Sequence, residues 1–124
     1  MDLTQFQWKN RLLFLFAPDS SDPSFHHLQN QIIDQKSEVE DRDLVVFSVL
    51  VQGPSQTDTT ALDRQAADSI RERFAVPPNA FSLILIGKDG GVKLKREDPV
   101  DLVEVFELID SMPMRRNEMQ QKNQ

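Results

Sequence analysis

Blocks of apolar residues, separated by polar stretches, predict four strands along the chain. Leu12–Phe16 is a continuous apolar run, too short for a helix and typical of a strand that is buried on both faces. Asp43–Val51 is a second such run, rich in β-branched side chains, and Phe81–Gly87 is a third. Val92–Arg96 alternates apolar with basic residues, which predicts an edge strand or a strand with one solvated face.

Apolar residues recur at helical spacing in three of the segments between and after these strands. The first helix has a clear start, because Asp22 can accept a hydrogen bond from a free backbone N–H and Pro23 fits the first helical position. Residues 52–60 are a loop by composition. Residues 114–124 form a polar tail that is expected to fray, unless Met114 and Met119 dock one last turn. The first helix is expected to run from Asp22 to near Glu40 and the second from Thr60 to Pro77. The third is expected to run from Asp98 to Pro113.

The resulting element order is β-α-β-α-β-β-α. A β-α-β unit is expected to be a right-handed parallel crossover, and the glycine-rich turn Lys88–Gly91 makes the last two strands an antiparallel hairpin. This order predicts an α/β domain over residues 1–113, with a mixed four-stranded sheet and helices on both faces. A fragment of a doubly wound sheet is the alternative, and it is disfavoured because the hairpin breaks the parallel alternation.

Composition narrows the possible chemistry. The 124 residues fit one domain, and their 20 acidic and 14 basic side chains give a formal net charge of -6, which disfavours duplex nucleic acid. The chain has no cysteine, so disulfides, thiol redox chemistry and thiolate nucleophiles are all removed. It also lacks a signal-peptide pattern and an apolar stretch of membrane-spanning length. A cytoplasmic protein without membrane contact is therefore expected.

Two stretches resemble thioredoxins and peroxiredoxins: FLFAPDSSDPSF, like their first strand and active loop, and RFAVPPNAFSLILIGKDGGVKL, like their later strands. Across Trp8–Met119, the chain also resembles the DUDES family in the words WKNRLLFLFAPD, DRDLVVF, LIGKDGGVKL and SMPMRRNEM. That family includes small bacterial proteins and repeated domains of vertebrate secreted matrix and sushi-repeat proteins. The resemblance implies a cysteine-less, thioredoxin-like fold with no established activity.

The redox residues of thioredoxins do not carry over to this chain. The loop where the cysteine pair belongs reads Ser20-Ser21-Asp22-Pro23, and the proline that precedes the third strand has no clear match near Phe81. A serine hydroxyl cannot replace a thiolate, because without a base its pKa is far too high for it to ionise. Thiol-disulfide oxidoreductase and peroxidase activities are thereby excluded.

Two sets of residues are candidate binding sites. The loop Asp19, Ser20, Ser21 and Asp22 precedes a helix N-terminus, where free N–H groups favour an anion, unless Asp22 simply caps the helix. Arg42 could pair bidentately with a carboxylate, and Asp19 is one candidate partner. The second set is basic and could contact an acidic protein or RNA, or protect an edge strand; aromatic residues are not interleaved with it, which disfavours nucleic acid. Its members are Lys88, Lys93, Lys95 and Arg96.

Histidine and tryptophan offer weaker signals. His26 and His27, with Asp19 nearby, suggest a metal, but adjacent helical residues diverge by about 100° and rarely share one ion. One histidine is instead expected to pack beside Phe25. Trp8, the single tryptophan, either covers the open end of the core or anchors a partner.

The leading hypothesis is a non-redox, thioredoxin-like binding or adaptor domain with an acidic protein as its partner. No catalytic residue, cofactor or metal site is predicted. The alternative is an enzyme with chemistry that does not use sulfur, placed at the Asp19–Asp22 loop with Arg42 or His26 nearby. A homodimer formed through an exposed strand edge stays open as a third hypothesis.

Overall fold

Within residues 3–58 and 60–122, which the computed structural model describes, six strands form one mixed sheet flanked by five helices. The strands are β1 Arg11–Ala17, β2 Leu44–Leu50, β3 Ser55–Thr57, β4 Thr60–Leu62, β5 Ser82–Ile86 and β6 Val92–Arg96. The helices are α1 Pro23–Asp34, α2 Lys36–Asp41, α3 Arg64–Arg73, α4 Leu102–Asp110 and α5 Pro113–Lys122, with a 3₁₀ helix at Leu3–Phe6. None of these helices combines the length and apolarity that a membrane crossing requires.

The centre of the sheet follows from the continuous apolar runs. In the strand order β4-β3-β2-β1-β5-β6, β1 lies between β2 and β5 and is buried at every position. β1 and β2 are parallel, with Arg11 opposite Leu44 and Ala17 opposite Leu50. β5 runs antiparallel to β1, and β6 antiparallel to β5. The predicted α/β class, the parallel first pair and the final hairpin are confirmed.

The sheet has six strands, where the sequence predicts four. β3 lies in the segment that its polar composition predicts to be a loop, whereas β4 lies at the predicted start of the second helix, so the assignment of Leu62 to that helix is wrong. They form because β3 pairs with β2, and because Asp58 adopts a left-handed conformation (φ 47°) in the turn that follows. There the Asp58 N–H donates to the Val46 carbonyl at 3.0 Å. Most of the side chains of β3 and β4 are exposed or half-buried, so these strands lack the alternation of apolar residues that would predict them.

Several helix boundaries also differ from the prediction. The first predicted helix is two helices, because Gln35 leaves helical geometry (φ -117°, ψ 38°). The Asp63 side chain, and not Thr60, caps α3 by accepting from the Ala66 N–H at 2.7 Å. α3 ends before Pro77 because Ala75 is left-handed (φ 53°). The last two differences are that α4 begins after Asp101 and not at Asp98, and that residues 113–122 form α5 where a fraying tail is predicted.

Each face of the sheet carries its own apolar core. On one face, α1 and α4 cover β1, β2 and β5 with buried residues such as Leu28 and Val105. On the other face, Ile70 of α3 and Phe74, which directly follows α3, pack against aromatic residues of β1 and β2. The rings of Phe14 and Phe47 stack there, with their centroids 4.6 Å apart. The core is therefore formed on both faces of the central strands.

Candidate functional site

The loop after β1 is closed by its own hydrogen bonds. The Asp19 carboxylate accepts from the Ser21 N–H at 2.9 Å and from the Ser21 hydroxyl at 2.5 Å. These two bonds lower the pKa of Asp19, the side-chain bond having the larger effect. The Asp22 carboxylate accepts from the Phe25 N–H at 3.1 Å and caps α1. Of the two interpretations of this loop, the geometry favours capping over anion binding.

Arg42 lies at the opposite end of the sheet from this loop. Because β1 and β2 are parallel, a residue before β2 is level with the start of β1, whereas Asp19 follows the end of β1. Arg42 makes the expected bidentate pair, but with Asp110, at 3.2 and 2.8 Å. It also pairs with Glu38 at 3.0 Å. The predicted pairing of Arg42 with Asp19 is therefore wrong, because the length of a strand separates them.

At this amino end of β1 and β2, a set of buried cations meets carboxylates. Arg11, whose side chain is only 1% exposed, binds Glu118 of α5 through both guanidinium Nη atoms, at 3.1 and 3.0 Å. Lys88 bonds both Glu118 and Asp43 at 2.9 Å. We call the whole set the amino-end network; its members are Arg11, Arg42, Lys88, Arg115, Glu38, Asp41, Asp43, Asp110 and Glu118.

The amino-end network attaches α5 to the domain. Among the described side chains of α5, Arg115 alone is fully buried, and it pairs with Asp41 at 2.7 Å and with Asp110 at 3.0 Å. Burial opposes the ionisation of Glu118, but hydrogen bonds from Arg11 and Lys88 outweigh it and lower the pKa of Glu118. The pKa of Asp110 is lowered against burial in the same way, by Arg42 and Arg115. These side chains hold the structure together, and their charges are already compensated.

The predicted basic surface is largely neutralised. Lys88 is buried in the amino-end network, and Lys93 bonds Asp89 at 2.8 Å. Arg96 binds both carboxylate oxygens of Asp98, at 2.7 and 2.6 Å, which lowers the pKa of Asp98 to about 2. Lys95 is exposed and has no ion pair among the described residues. Most of this positive charge is therefore paired with carboxylates of the same chain.

The two histidines do not form a metal site. Both are exposed, so the prediction that one packs beside Phe25 is wrong. His27 Nε2 lies 2.7 Å from an Asp101 oxygen, and His26 Nε2 lies 3.3 Å from the Asn30 side-chain amide. In the described part of the chain, no group of three potential ligands could hold a metal ion.

Trp8 lies on the surface instead of covering the core. Its side chain is 63% exposed, and its backbone is left-handed with φ 69°. The Trp8 N–H donates to the Lys88 carbonyl at 2.6 Å, and the neighbouring Gln7 side chain donates to the Asp89 carbonyl at 3.0 Å. Trp8 is therefore fixed against the β5–β6 turn, with most of its indole in solvent.

A cavity of about 280 Å³ shares this turn with Trp8. It opens between the 3₁₀ helix, the end of α3 and the β5–β6 turn, and the charged residues Arg73 and Asp89 lie at it. The sequence gives no signal for this cavity, because it forms from segments far apart in the chain. Its apolar lining residues are Leu3, Phe6, Leu12, Phe74, Ile86 and Val92. Trp8 is not itself a lining residue, but Gln7 beside it is, and we call Trp8 together with this cavity the Trp8 surface.

A second cavity, of about 400 Å³, lies on the other face of the sheet. It is bounded by α1, α2, β2 and β3, and its apolar residues include Ile32 and Val46. Its charged lining residues, Lys36, Glu40 and Asp58, are of both signs. Neither of these two cavities is lined by a residue of the loop after β1.

The sheet order and helices define the class of this protein as α/β with a thioredoxin/peroxiredoxin-like fold. The reduced 2-Cys peroxiredoxin of Plasmodium vivax aligns with a TM-score of 0.69 at 15% identity, over 94% of this chain and 85% of that one. Thioredoxin peroxidase I of Plasmodium yoelii aligns with a TM-score of 0.66 at 20% identity, over 94% and 80%. At these identities the likeness shows the fold alone.

Residues 2–118 match the family described as Domain of unknown function (DUF4174), and the chain belongs to that family. The zebrafish (Danio rerio) Coiled-coil domain-containing protein 80 is 26% identical over 133 residues, 94% of this chain but 15% of that protein. Human Sushi repeat-containing protein SRPX2 is 28% identical over 126 residues, 98% of this chain but 27% of that protein. The chain thus spans a small part of the curated relatives it matches.

Proposed function

We propose that this chain is a binding domain that has a peroxiredoxin-like scaffold without thiol chemistry and recognises a protein partner through the Trp8 surface. The absence of cysteine and the self-bonded loop after β1 support the first part. The two relatives above support the idea of a module, because this chain matches 15% and 27% of their lengths. The cytoplasmic location stays a prediction.

The exposed, strained Trp8 carries the proposal. A left-handed backbone at a bulky residue costs about 1–3 kcal/mol and persists only where neighbouring structure imposes it. Here the Trp8 N–H bond to Lys88 and the bonds of the Lys9 and Asn10 N–H groups to the Phe6 carbonyl impose it. Tryptophan is enriched among the residues that dominate binding energy at protein interfaces. An exposed indole on a backbone that is fixed in this way is available to a protein partner.

The alternative, an enzyme at the loop after β1, has less support. A general acid at neutral pH needs a raised pKa, whereas the pKa of Asp19 is lowered. The hypothesis places Arg42 near that loop. Arg42 is instead paired with Asp110 at the other end of the sheet. We expect peroxide-consumption and insulin-reduction assays to be blank, and turnover in either assay would contradict the absence of thiol chemistry.

Capture from extracts of the native cell tests the binding function. The full chain, Trp8→Ala and Val103→Ala are immobilised in parallel; Val103 is a matched control because its side chain is 54% exposed on α4, away from the Trp8 surface. We expect a protein that is retained by the full chain and by Val103→Ala but lost with Trp8→Ala. If the retained proteins do not depend on Trp8, the Trp8 surface is not the binding site.

A further inference from the structure

The cavity of the Trp8 surface is small and has apolar side chains in its lining. Its volume of about 280 Å³ lies just below the range of roughly 300–1,000 Å³ that is usual for small-molecule sites. Its apolar residues come from the 3₁₀ helix, β1, α3, β5 and β6. An apolar side chain of a partner would be removed from water against that lining. Trp8 would cover the partner residues next to that side chain.

The charge available at this cavity is positive. Asp89 is already engaged, since it accepts from the Lys93 ammonium at 2.8 Å and from the Gly91 N–H at 2.9 Å. Arg73 is exposed, its guanidinium carbon lies 5.9 Å from the centre of the Phe74 ring, and it has no ion pair among the described residues. A ligand at the cavity therefore meets one uncompensated guanidinium beside an apolar opening. The charged residues that line the larger cavity are of both signs, so that cavity does not favour a ligand of one charge.

Resting on the binding function proposed above, we propose that the cavity takes an aromatic or aliphatic side chain from a partner segment that carries a carboxylate beside it. Arg73 is the counter-ion of that carboxylate, and Trp8 packs against the segment that presents it. A guanidinium suits a carboxylate because its N–H donors match both oxygens. The occupant is thus a short acidic and apolar stretch of a protein.

A random peptide library displayed against the immobilised full chain tests this chemistry without a known partner. The same selection is run on Trp8→Ala, on Arg73→Glu and on Lys95→Glu. Lys95→Glu is the matched control, because it reverses an exposed, unpaired positive charge outside the cavity lining. Thermal unfolding of each variant establishes that it is folded before its selection is interpreted.

We expect the full chain to enrich peptides with an apolar residue next to Asp or Glu. Affinity should fall by at least about tenfold in Trp8→Ala and by roughly threefold to tenfold in Arg73→Glu, with little change in Lys95→Glu. Arg73→Glu should itself select peptides with Lys or Arg in place of the acid.

Two results overturn the inference in distinguishable ways. Peptides that depend on Trp8 but bind Arg73→Glu equally well contradict the acidic occupant and leave the binding function standing. If no peptide is enriched, or if none depends on Trp8, both the occupant and the Trp8 surface as a binding site are contradicted.

Discussion

The two ends of the central strand use polar residues in opposite ways. At the carboxyl end of β1, small polar side chains lie near the surface and bond to one another, as Ser21 does to Asp19. At the amino end, Arg11 is buried and its charge is met by Glu118 from a distant helix. The first arrangement depends on neighbours in the chain, and the second depends on the complete tertiary fold.

The polar bonds at the carboxyl end are therefore local, and those at the amino end join elements that are distant in the chain. The resemblance to thioredoxin-like enzymes would place the chemistry in the loop at the carboxyl end of β1. In this chain that loop contains a helix cap and a closed turn. The loss of stability on substitution should be larger at the amino end, because removing one partner there breaks bonds to charged groups that are partly or fully buried. Substitutions at the two ends should therefore have unequal effects.

Arg11→Met should produce the largest effect on stability. It removes the bidentate partner of Glu118, which keeps its bond to Lys88, and we expect a loss of roughly 1.5–3 kcal/mol in the free energy of unfolding. Urea unfolding measures this loss. Arg96→Met is the control, since it breaks a solvent-exposed pair with Asp98 that contributes little to stability. Equal losses in the two variants would contradict the structural role of the amino-end network.

Acid should weaken the amino end through Glu118 and Asp110. Their pKa values are lowered in the folded protein from usual values of 4.5 and 3.8. Their stabilising effect is therefore present above those values and is lost as pH falls through the lower folded pKa values. We expect unfolding free energy to fall below about pH 4.5, and Glu118→Gln to flatten this fall. Parallel pH profiles for Glu118→Gln and the full chain, with exposed Glu107→Gln as control, would contradict this expectation.

Asp22→Ala should cost less, because its bond to the Phe25 N–H is a local cap. Loss of an N-cap of this kind lowers unfolding free energy by about 1 kcal/mol. Asp34→Ala is the control, since it removes an acid from the last turn of the same helix, where an acid is slightly unfavourable. Thermal unfolding that shows Asp22→Ala to be as stable as Asp34→Ala would contradict the capping role.

Trp8→Gly should change stability least. Glycine adopts φ 69° without strain, which offsets the loss of the partly buried indole. We expect the unfolding free energy to stay within about 1 kcal/mol of the full chain, because left-handed strain of about 1–3 kcal/mol is relieved. A loss of unfolding free energy well above about 1 kcal/mol in urea would mean that Trp8 contributes to the core.

The fold could be predicted where the signal is local and apolar. Continuous runs such as Leu12–Phe16 identify strands that are buried on both faces, and a glycine turn identifies the hairpin. β3 and β4 could not be predicted, since they pair through backbone at the sheet edge with mostly exposed or half-buried side chains. Strands whose residues form a buried apolar run could be predicted, and strands held mainly by backbone pairing could not.

The candidate site was less accessible to sequence reasoning. The partner of Arg42 is Asp110, 68 residues away, and no spacing rule selects it from the other carboxylates. The cavity beside Trp8 needs Leu3–Phe6 to lie against α3 and the β5–β6 turn, which only long-range bonds such as Trp8 to Lys88 arrange. The sequence did identify Trp8 as a residue that either closes the core or binds a partner, and its exposure favours the second role.

Photo-crosslinking in the native cell compares the Trp8 surface with the loop after β1 most directly. The photoreactive residue p-benzoylphenylalanine replaces Trp8 in one version of the full chain and the exposed Ser20 in another. Because the aromatic substitute preserves an apolar anchor, we expect a discrete protein adduct from position 8 and none from position 20. Adducts from position 20 alone would contradict the central claim that this scaffold binds through the Trp8 surface.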